Sequence, residues 1–449
     1  MHKGIARVSA FFESIKPSCI RNAQILFEKR TEQEKERGEK VTIAINTAIG
    51  NVSLKTHPKM LERYLNPTDK ELKNGIWRYC NTQGRELCNK VFINIVRSFL
   101  KEDNNPEIYS LIDAGGSNIM KVVMLGVCGN PGTSDKPLLI VDPTYTNYKS
   151  IGEEMGRSVI AITRLLQKNE KFTDIPAETI EKAIKKYKPG GLLIIPYDNP
   201  SGQLMRQDVI NKYAKICVEN GIFLISDEAY RGLHYTDDPA PTIWNITNKE
   251  VPNIEEAKIR ISIETMSKVF NACGLRMGAL LTDNEYFYNK AIAANTTYLC
   301  PSVVDQHIVE ALGKESKEKI QNWISQQRKY YRGILKKLYD NFHKVLPDII
   351  VSLPEASIYS VIDVRNIAKT DFNAEDFITF CATEGSVGID GRKMTLLVSP
   401  MGGFYNPKTE ERNPGATQMR IACVLREEEM DLVPKLFAEL FKQYESQKT

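Results

Sequence analysis

The chain has 449 residues, enough for two or three domains at about 150 residues each, and its 42% hydrophobic and 26% charged residues are ordinary globular usage. Wholesale disorder and a fibrous architecture are thereby excluded. Sixty Lys and Arg against 56 Asp and Glu leave a net charge of +4, too small and too dispersed an excess for a nucleic-acid binder.

The nine cysteines are odd in number and show no C-x-x-C spacing, so a disulfide framework and a structural metal site are disfavoured and a reducing cytosol is expected. Apolar runs such as 192–196 fall far short of the roughly 18 residues of a membrane helix, and the first fifteen residues carry no signal-peptide core. The expectation is a cytoplasmic protein with no membrane partner.

In chain order, residues 28–40 are mixed-charge and read as a solvated helix end or connecting loop. From about residue 107, short apolar runs at 108–112, 138–141, 191–195, 222–225, 259–263 and 279–282 read as strands. Between them Ile180, Ala183, Ile184 and Tyr187 keep helical spacing up to a stop at Pro189 and Gly190, and Val209, Tyr213 and Ile216 repeat it up to Gly221. Strands separated by helices imply an α/β fold with a largely parallel sheet covered on both faces, whose functional loops lie at the carboxyl ends of strands. Residues 316–346 read as a long polar helix. Strands near 349–352, 358–363, 395–398 and 419–422 then indicate a smaller α+β domain. The expected division is an N-terminal arm with part of the small domain (1–65), a large domain (66–325) and a small C-terminal domain (326–449).

Each strand end in the middle region delivers a polar motif. Ala114-Gly115-Gly116-Ser117 opens a helical segment, and small residues at a helix N-terminus expose N–H groups that suit a phosphate, although a Gly-Gly turn is by itself a structural device. Asn199-Pro200-Ser201-Gly202 is a strong turn signal, which explains the proline and glycine but not the amide at Asn199. The strand before Asp227 ends in a carboxylate that needs a proton or a cation, whether from a plain salt bridge or from a ligand, and Tyr230 puts a phenol nearby. Thr265-Met266-Ser267-Lys268 precedes Gly274-Leu275-Arg276-Met277-Gly278, an amine followed eight residues later by a permanent cation. A lone lysine is commonly a solvated charge, but this one follows a strand. Together these supply a phosphate cradle, a carboxylate, a phenol, an amide and an amine. That inventory matches pyridoxal phosphate, which needs a lysine for its Schiff base, a carboxylate at its ring nitrogen and donors for its phenolate and phosphate oxygens.

In order and internal spacing these blocks resemble the class I/II aminotransferases of the fold-type I pyridoxal phosphate enzymes, from about residue 45 to 424. The resemblance implies a mainly parallel central sheet with helices, a smaller α+β domain, and exchange of an amino group between an amino acid and a 2-oxo acid. It implies Lys268 as the Schiff-base amine and proton shuttle, Asp227 at the ring nitrogen, and Tyr230 and Asn199 at the phenolate oxygen. Gly116, Ser117, Thr265, Ser267 and Arg276 would hold the phosphate, and Tyr145 would stack on the ring. Arg420 would bind the substrate α-carboxylate, and Gly50 matches a glycine of the substrate-side turn. Tyr79, five residues before Gly84, matches a tyrosine that reaches the neighbouring subunit's cofactor phosphate, which implies a homodimer with shared active sites.

Ser201 stands where the family usually has threonine. The polar tract 399–417 is longer than the family's loop and is expected to be an ordinary surface loop, with a mobile lid as the alternative. Residues 291–313 contain no Lys or Arg where the dicarboxylate-specific branch places a second arginine. A strong aspartate and glutamate preference is therefore expected to be absent, unless Lys16 or Arg21 supplies the cation. The same cofactor residues serve β-eliminating carbon–sulfur lyases, and the residues leave that reading open. A non-catalytic regulator would be expected to carry a DNA-binding domain, and only about forty residues precede the match. Gly126 to Gly132 does not follow a strand as a dinucleotide fingerprint would.

Overall fold

The computed structural model describes residues 6–15, 17–406 and 412–447. After β1 (Ile43–Asn46), the next seven strands build the central sheet: β2 (Tyr109–Asp113), β3 (Leu138–Asp142), β4 (Val159–Thr163), β5 (Gly191–Ile194), β6 (Phe223–Asp227), β7 (Arg260–Thr265) and β8 (Gly278–Thr282). Their order is β2-β8-β7-β6-β5-β3-β4. β3 to β7 run parallel, while β8 is antiparallel to both β2 and β7. All six apolar runs of the middle region are strands here. β4 was not among them because it is a half-exposed edge strand, without the continuous burial that makes an inner strand conspicuous.

Alternation along the strands sends residues to two separate cores. Ile112, Leu139, Val141, Leu192, Ile194 and Leu224 pack beneath the helices Glu86–Arg97, Ala177–Tyr187 and Gln207–Asn220. Leu111, Leu138, Ile140, Leu193, Ile225 and Ile263 pack beneath the helices Gly116–Val127 and Glu285–Asn295. Each fully buried Leu or Ile contributes about 1.5–3 kcal/mol relative to exposure, so both faces hold the strand ends rigidly.

The helix Lys317–Val345 begins where the Ser316 hydroxyl accepts from the Lys319 N–H and buries the stripe Ile320, Ile324, Tyr331, Leu335, Leu338 and Phe342. It leads to β9 (Ile350–Val351), β10 (Tyr359–Asp363), β11 (Val387–Ile389), β12 (Arg392–Leu397), β13 (Ser399–Pro400) and β14 (Gln418–Ala422). These form a sheet of order β13-β14-β10-β9 and a second of order β1-β12-β11, with β1 parallel to β12.

The helix Cys19–Glu36 docks on this region. Residues 28–40 are not simply solvated as expected, because Arg30 and Glu34 are buried. Arg30 donates to the carbonyl oxygens of Cys381 at 3.3 Å and Gly385 at 3.0 Å, satisfying groups at the end of the helix Ala374–Thr383. This anchor fixes the helix whose first turns face the site.

Candidate active site

The carboxyl ends of β6 and β7, the loop after β5 and the N-terminus of the helix Gly116–Val127 converge on a cavity of about 790 Å³. At one end, Gly115 adopts φ 80° and precedes that helix, whose first N–H groups receive no side-chain cap. The missing Cβ is required here: one built on Gly115 would lie 2.5 Å from the Arg276 guanidinium. Arg276 is steadied by donation from Nη1 to the Cys273 carbonyl oxygen at 3.0 Å. Thr265 Oγ1 accepts from the Ser267 N–H at 3.2 Å, and Ser117 Oγ accepts from Asn147 Nδ2 at 3.4 Å. Gly116, Ser117, Thr265, Ser267 and Arg276 thus meet at one corner. Free helix N–H groups, hydroxyls and a guanidinium together suit a dianion.

Asp227 ends β6 in the cavity wall. One carboxylate oxygen accepts from the Ala229 N–H at 3.1 Å and the other accepts from the Tyr148 hydroxyl. Burial pushes its pKa up, and the Tyr148 bond opposes that shift. No cation pairs with it among the described residues, because neighbouring Arg231 is held by Glu228 at 2.6 Å and Glu264 at 2.5 Å. A buried carboxylate in this condition is an unmet demand for a cation or a proton.

Lys268 points its Nζ at the Gly50 carbonyl oxygen, to which it donates. A Cβ on Gly50 would collide with the Tyr359 hydroxyl, so glycine is what lets the substrate-side turn approach this closely. Tyr230 and Tyr359 share a hydroxyl–hydroxyl bond of 2.8 Å, and burial raises the Tyr230 pKa well above the ordinary phenol value.

Arg420, on β14, is 1% exposed. It donates from Nη1 to Asn199 Oδ1 at 2.9 Å and from Nη2 to the Ala48 carbonyl oxygen at 2.7 Å. Its guanidinium carbon lies 4.3 Å from the Tyr359 ring centre and 4.9 Å from that of Phe404, while Nε has no partner. Tyr145 lines the same cavity, edge-on to Tyr148 at 5.7 Å.

The reading of 399–417 as a surface loop is corrected. Ser399 and Pro400 pair with Arg420 and Met419, and Met401, Phe404 and Tyr405 are buried. The Tyr405 hydroxyl donates to Gln418 Oε1 at 2.7 Å and the Phe404 carbonyl oxygen accepts from the Thr144 N–H at 2.9 Å. This part of the tract is a wall behind Arg420. It carries no charged residue before Lys408, a signal that its polar remainder obscured. Residues 407–411 lie outside the described residues.

Tyr79 is the one proposed site residue away from this cavity; it is 78% exposed on an irregular segment. Tyr148, Tyr359 and Asn147 were not singled out in the sequence, and Phe404 was marked only as part of the lid alternative for the tract 399–417. Tyr148 had only its spacing from Tyr145 to mark it, and Tyr359 lay inside a predicted strand. Lys16 lies outside the described residues. Arg21, Ser18 and Gln24 line the cavity from the helix Cys19–Glu36 and the residues before it.

An anion corner, an unpaired buried carboxylate and an amine between them fit a ring that is phosphorylated, cationic and bears an aldehyde. This is the chemistry of pyridoxal phosphate on a fold-type I scaffold. Residues 47–400 match the family described as aminotransferase class I and II. An aspartate aminotransferase of Bacillus sp. (strain YM-2) is 26% identical over 321 residues, 70% of this chain and 74% of that protein. A probable kynurenine–oxoglutarate transaminase of Saccharomyces cerevisiae is 22% identical over 345 residues, 75% of this chain and 72% of its own. Aspartate aminotransferase from Thermus thermophilus with maleate shares the fold with TM-score 0.74 at 16% identity, over 97% of this chain and 100% of that one. The chain belongs to the class I and II aminotransferases, pyridoxal phosphate-dependent enzymes that move an amino group between an amino acid and a 2-oxo acid. Among the described residues no helix is long and apolar enough to cross a membrane.

Proposed function

We propose that the chain is a cytoplasmic homodimer acting on dicarboxylic, aspartate-type amino acids, with the cavity residues in the following roles. Gly116, Ser117, Thr265, Ser267 and Arg276 hold the cofactor phosphate. Asp227, steadied by Tyr148, pairs with the ring nitrogen, and Tyr145 covers the ring. Tyr230 and Asn199 donate to the phenolate oxygen; the Asn199 amide oxygen is already taken by Arg420, which aims the amide nitrogen away from it. When bound, the cofactor withdraws electrons from the substrate α-carbon. Lys268 Nζ would hold the cofactor aldehyde and, when free of it, would carry the proton taken from the substrate α-carbon. Arg420 fixes the α-carboxylate, and Gly50 keeps the substrate-side turn close to Lys268.

The dimer reading is supported by the exposed apolar residues Trp77, Tyr79, Tyr298 and Leu299. They sit on two segments held together where the Cys80 N–H donates to Cys300 Sγ at 3.4 Å. Neighbouring apolar side chains left in solvent mark a surface that is covered in the assembly.

The observation that carries the substrate class is Arg21. It lines the cavity and its guanidinium has no hydrogen-bond or ion-pair partner among the described residues, so it is free to meet a distal carboxylate. A panel of amino donors in the single half-reaction, followed by the cofactor's absorbance change, tests this. Aspartate and glutamate should exceed alanine and methionine in the wild type, and Arg21→Gln should remove at least ~10²-fold of that preference, the scale of an unpaired carboxylate in a closed site. An unchanged donor order in Arg21→Gln would refute the assignment.

A further inference from the structure

Tyr359 on β10 reaches out of one sheet to meet Tyr230, which follows β6 of the other. The contact is held from both sides. The Ala356 N–H donates to the Gly202 carbonyl oxygen at 2.7 Å and the Ser357 N–H to the Leu233 carbonyl oxygen at 2.8 Å, which stitches the approach to β10 onto the loops that carry Asn199 and Tyr230. The Tyr359 ring lies under the Arg420 guanidinium at 4.3 Å and edge-on to the Tyr230 ring at 5.7 Å, and the residue is 2% exposed. The two hydroxyl oxygens are 2.8 Å apart, and neither has another hydrogen-bond partner among the described residues. By geometry alone either oxygen could be the donor. The Gly50 turn closes on the Tyr359 oxygen from the other side, where a Cβ would collide with it, and the Gly50 carbonyl oxygen faces Lys268 Nζ. Tyr230 is therefore the acceptor within reach of the Tyr359 hydrogen.

A phenol has one hydrogen to give. With the Tyr230 hydrogen committed to the cofactor's phenolate oxygen, the hydrogen in the bond between the two tyrosines belongs to Tyr359. We infer that Tyr359 is a positioning residue that donates to the Tyr230 hydroxyl and thereby makes Tyr230 a stronger donor to the phenolate oxygen; this rests on the placement of Tyr230 in the proposed function. A hydroxyl that accepts one hydrogen bond gives a stronger one, by about 10–30% along such a chain. The charged and titratable groups facing the pair are Lys268, Arg420, Asp227, Tyr145 and Tyr331. Exchanging a neutral phenol for a phenyl ring alters no charge among them, so the two hydroxyls can be removed one at a time without disturbing the field they sit in.

The test is a pH titration of the full-length enzyme loaded with pyridoxal phosphate, following the interconversion of the bound cofactor's visible absorbance bands rather than turnover. Weakening the donor disfavours the bare phenolate, so the proton shared with it is held to higher pH. Tyr230→Phe should raise the midpoint by about 1–2 pH units, the loss of a hydrogen bond to an anion. Tyr359→Phe, which keeps the ring beneath Arg420, should raise it by about 10–30% of that shift, with KM for amino donors unchanged. The double variant should match Tyr230→Phe, because Tyr359 acts only through Tyr230. Cofactor content and melting temperature, read on the same samples, check that each variant is folded and loaded. An unmoved midpoint in Tyr359→Phe would leave a packing role alone and overturn the inference. A lowered midpoint would overturn it as well, since Tyr230 would then have been donating to Tyr359. So would a further rise in the double variant, by which Tyr359 reaches the cofactor without Tyr230, or a raised KM with the midpoint unmoved. If Tyr230→Phe itself leaves the midpoint in place, the placement of Tyr230 has failed and the inference falls with it; a shift in Tyr230→Phe alone leaves that placement standing and sinks only the role of Tyr359.

Discussion

Replacing Arg420 with alanine isolates the grip on the substrate α-carboxylate from everything that reads the side chain. A guanidinium carries five N–H donors, of which one on Nη1 is given to Asn199 and one on Nη2 to the Ala48 carbonyl oxygen. The remaining three include the Nε–H, which is buried and has no partner. That is the donor set for a carboxylate laid along one edge of the fork. Two charge-assisted hydrogen bonds at about 1.5–3 kcal/mol each amount to about 3–6 kcal/mol, or ~10²–10⁴-fold in kcat/KM. Arg420→Ala should therefore lower kcat/KM by that factor for aspartate, alanine and aromatic donors alike. Arg420→Lys keeps the charge without the fork, and should recover only part of the loss. The assay is the single half-reaction rate against donor concentration, with thermal melting in parallel, since the Asn199 amide oxygen loses its partner at a cost to stability, whereas the Ala48 carbonyl oxygen keeps the Ser399 hydroxyl. A loss confined to one class of side chain, or smaller than tenfold for all of them, would refute the placement of the α-carboxylate at Arg420.

Asp227→Asn should slow α-proton abstraction by at least ~10²-fold, the scale seen when one preorganised electrostatic partner is removed; near-normal turnover would show that the ring nitrogen lies elsewhere. In cofactor-free protein the same change should raise the melting temperature. The Asp227 pKa is raised by burial, so its contribution to stability is full below the unfolded carboxylate pKa and is lost as pH rises through the folded value. The gain in Asp227→Asn should accordingly grow between acidic and neutral pH, and a pH-independent difference would contradict it. Gly50→Ala should cost activity through the collision with the Tyr359 hydroxyl, at about 1–3 kcal/mol of overpacking, and removing that hydroxyl in a Gly50→Ala, Tyr359→Phe double variant should recover part of it. Additive losses in that cycle would argue against the contact. Mixing Tyr79→Phe and Lys268→Ala chains should give hybrid dimers with one site carrying both lesions and one carrying neither, and a fully active monomer by light scattering would rule out sharing.

The strand-end motifs were legible because each is local. An apolar run followed at once by Asp227, Asn199 or the Thr265 to Lys268 block needs only a few consecutive residues to place its polar group at the end of a strand. The sheet's parallel order then follows from the helices between the runs. Residues that act across the chain carry no such signature. Tyr148 became a partner of Asp227 only when β3 and β6 came to lie on either side of β5. Tyr359 joined Tyr230 and Arg420 because β10 pairs with β14, which opposes Val361 to Arg420 and brings Tyr359 under the guanidinium. The tract after residue 399 read as polar overall, yet β13 zips Ser399 against Arg420 and carries Phe404 and Tyr405 into the core. Composition averages over a segment, whereas burial is decided residue by residue by what packs opposite. Arg21 shows the same division. Its charge was plain in the sequence, but a cation is free to meet a ligand only if folding leaves it without a carboxylate neighbour, and that is a property of the tertiary arrangement alone.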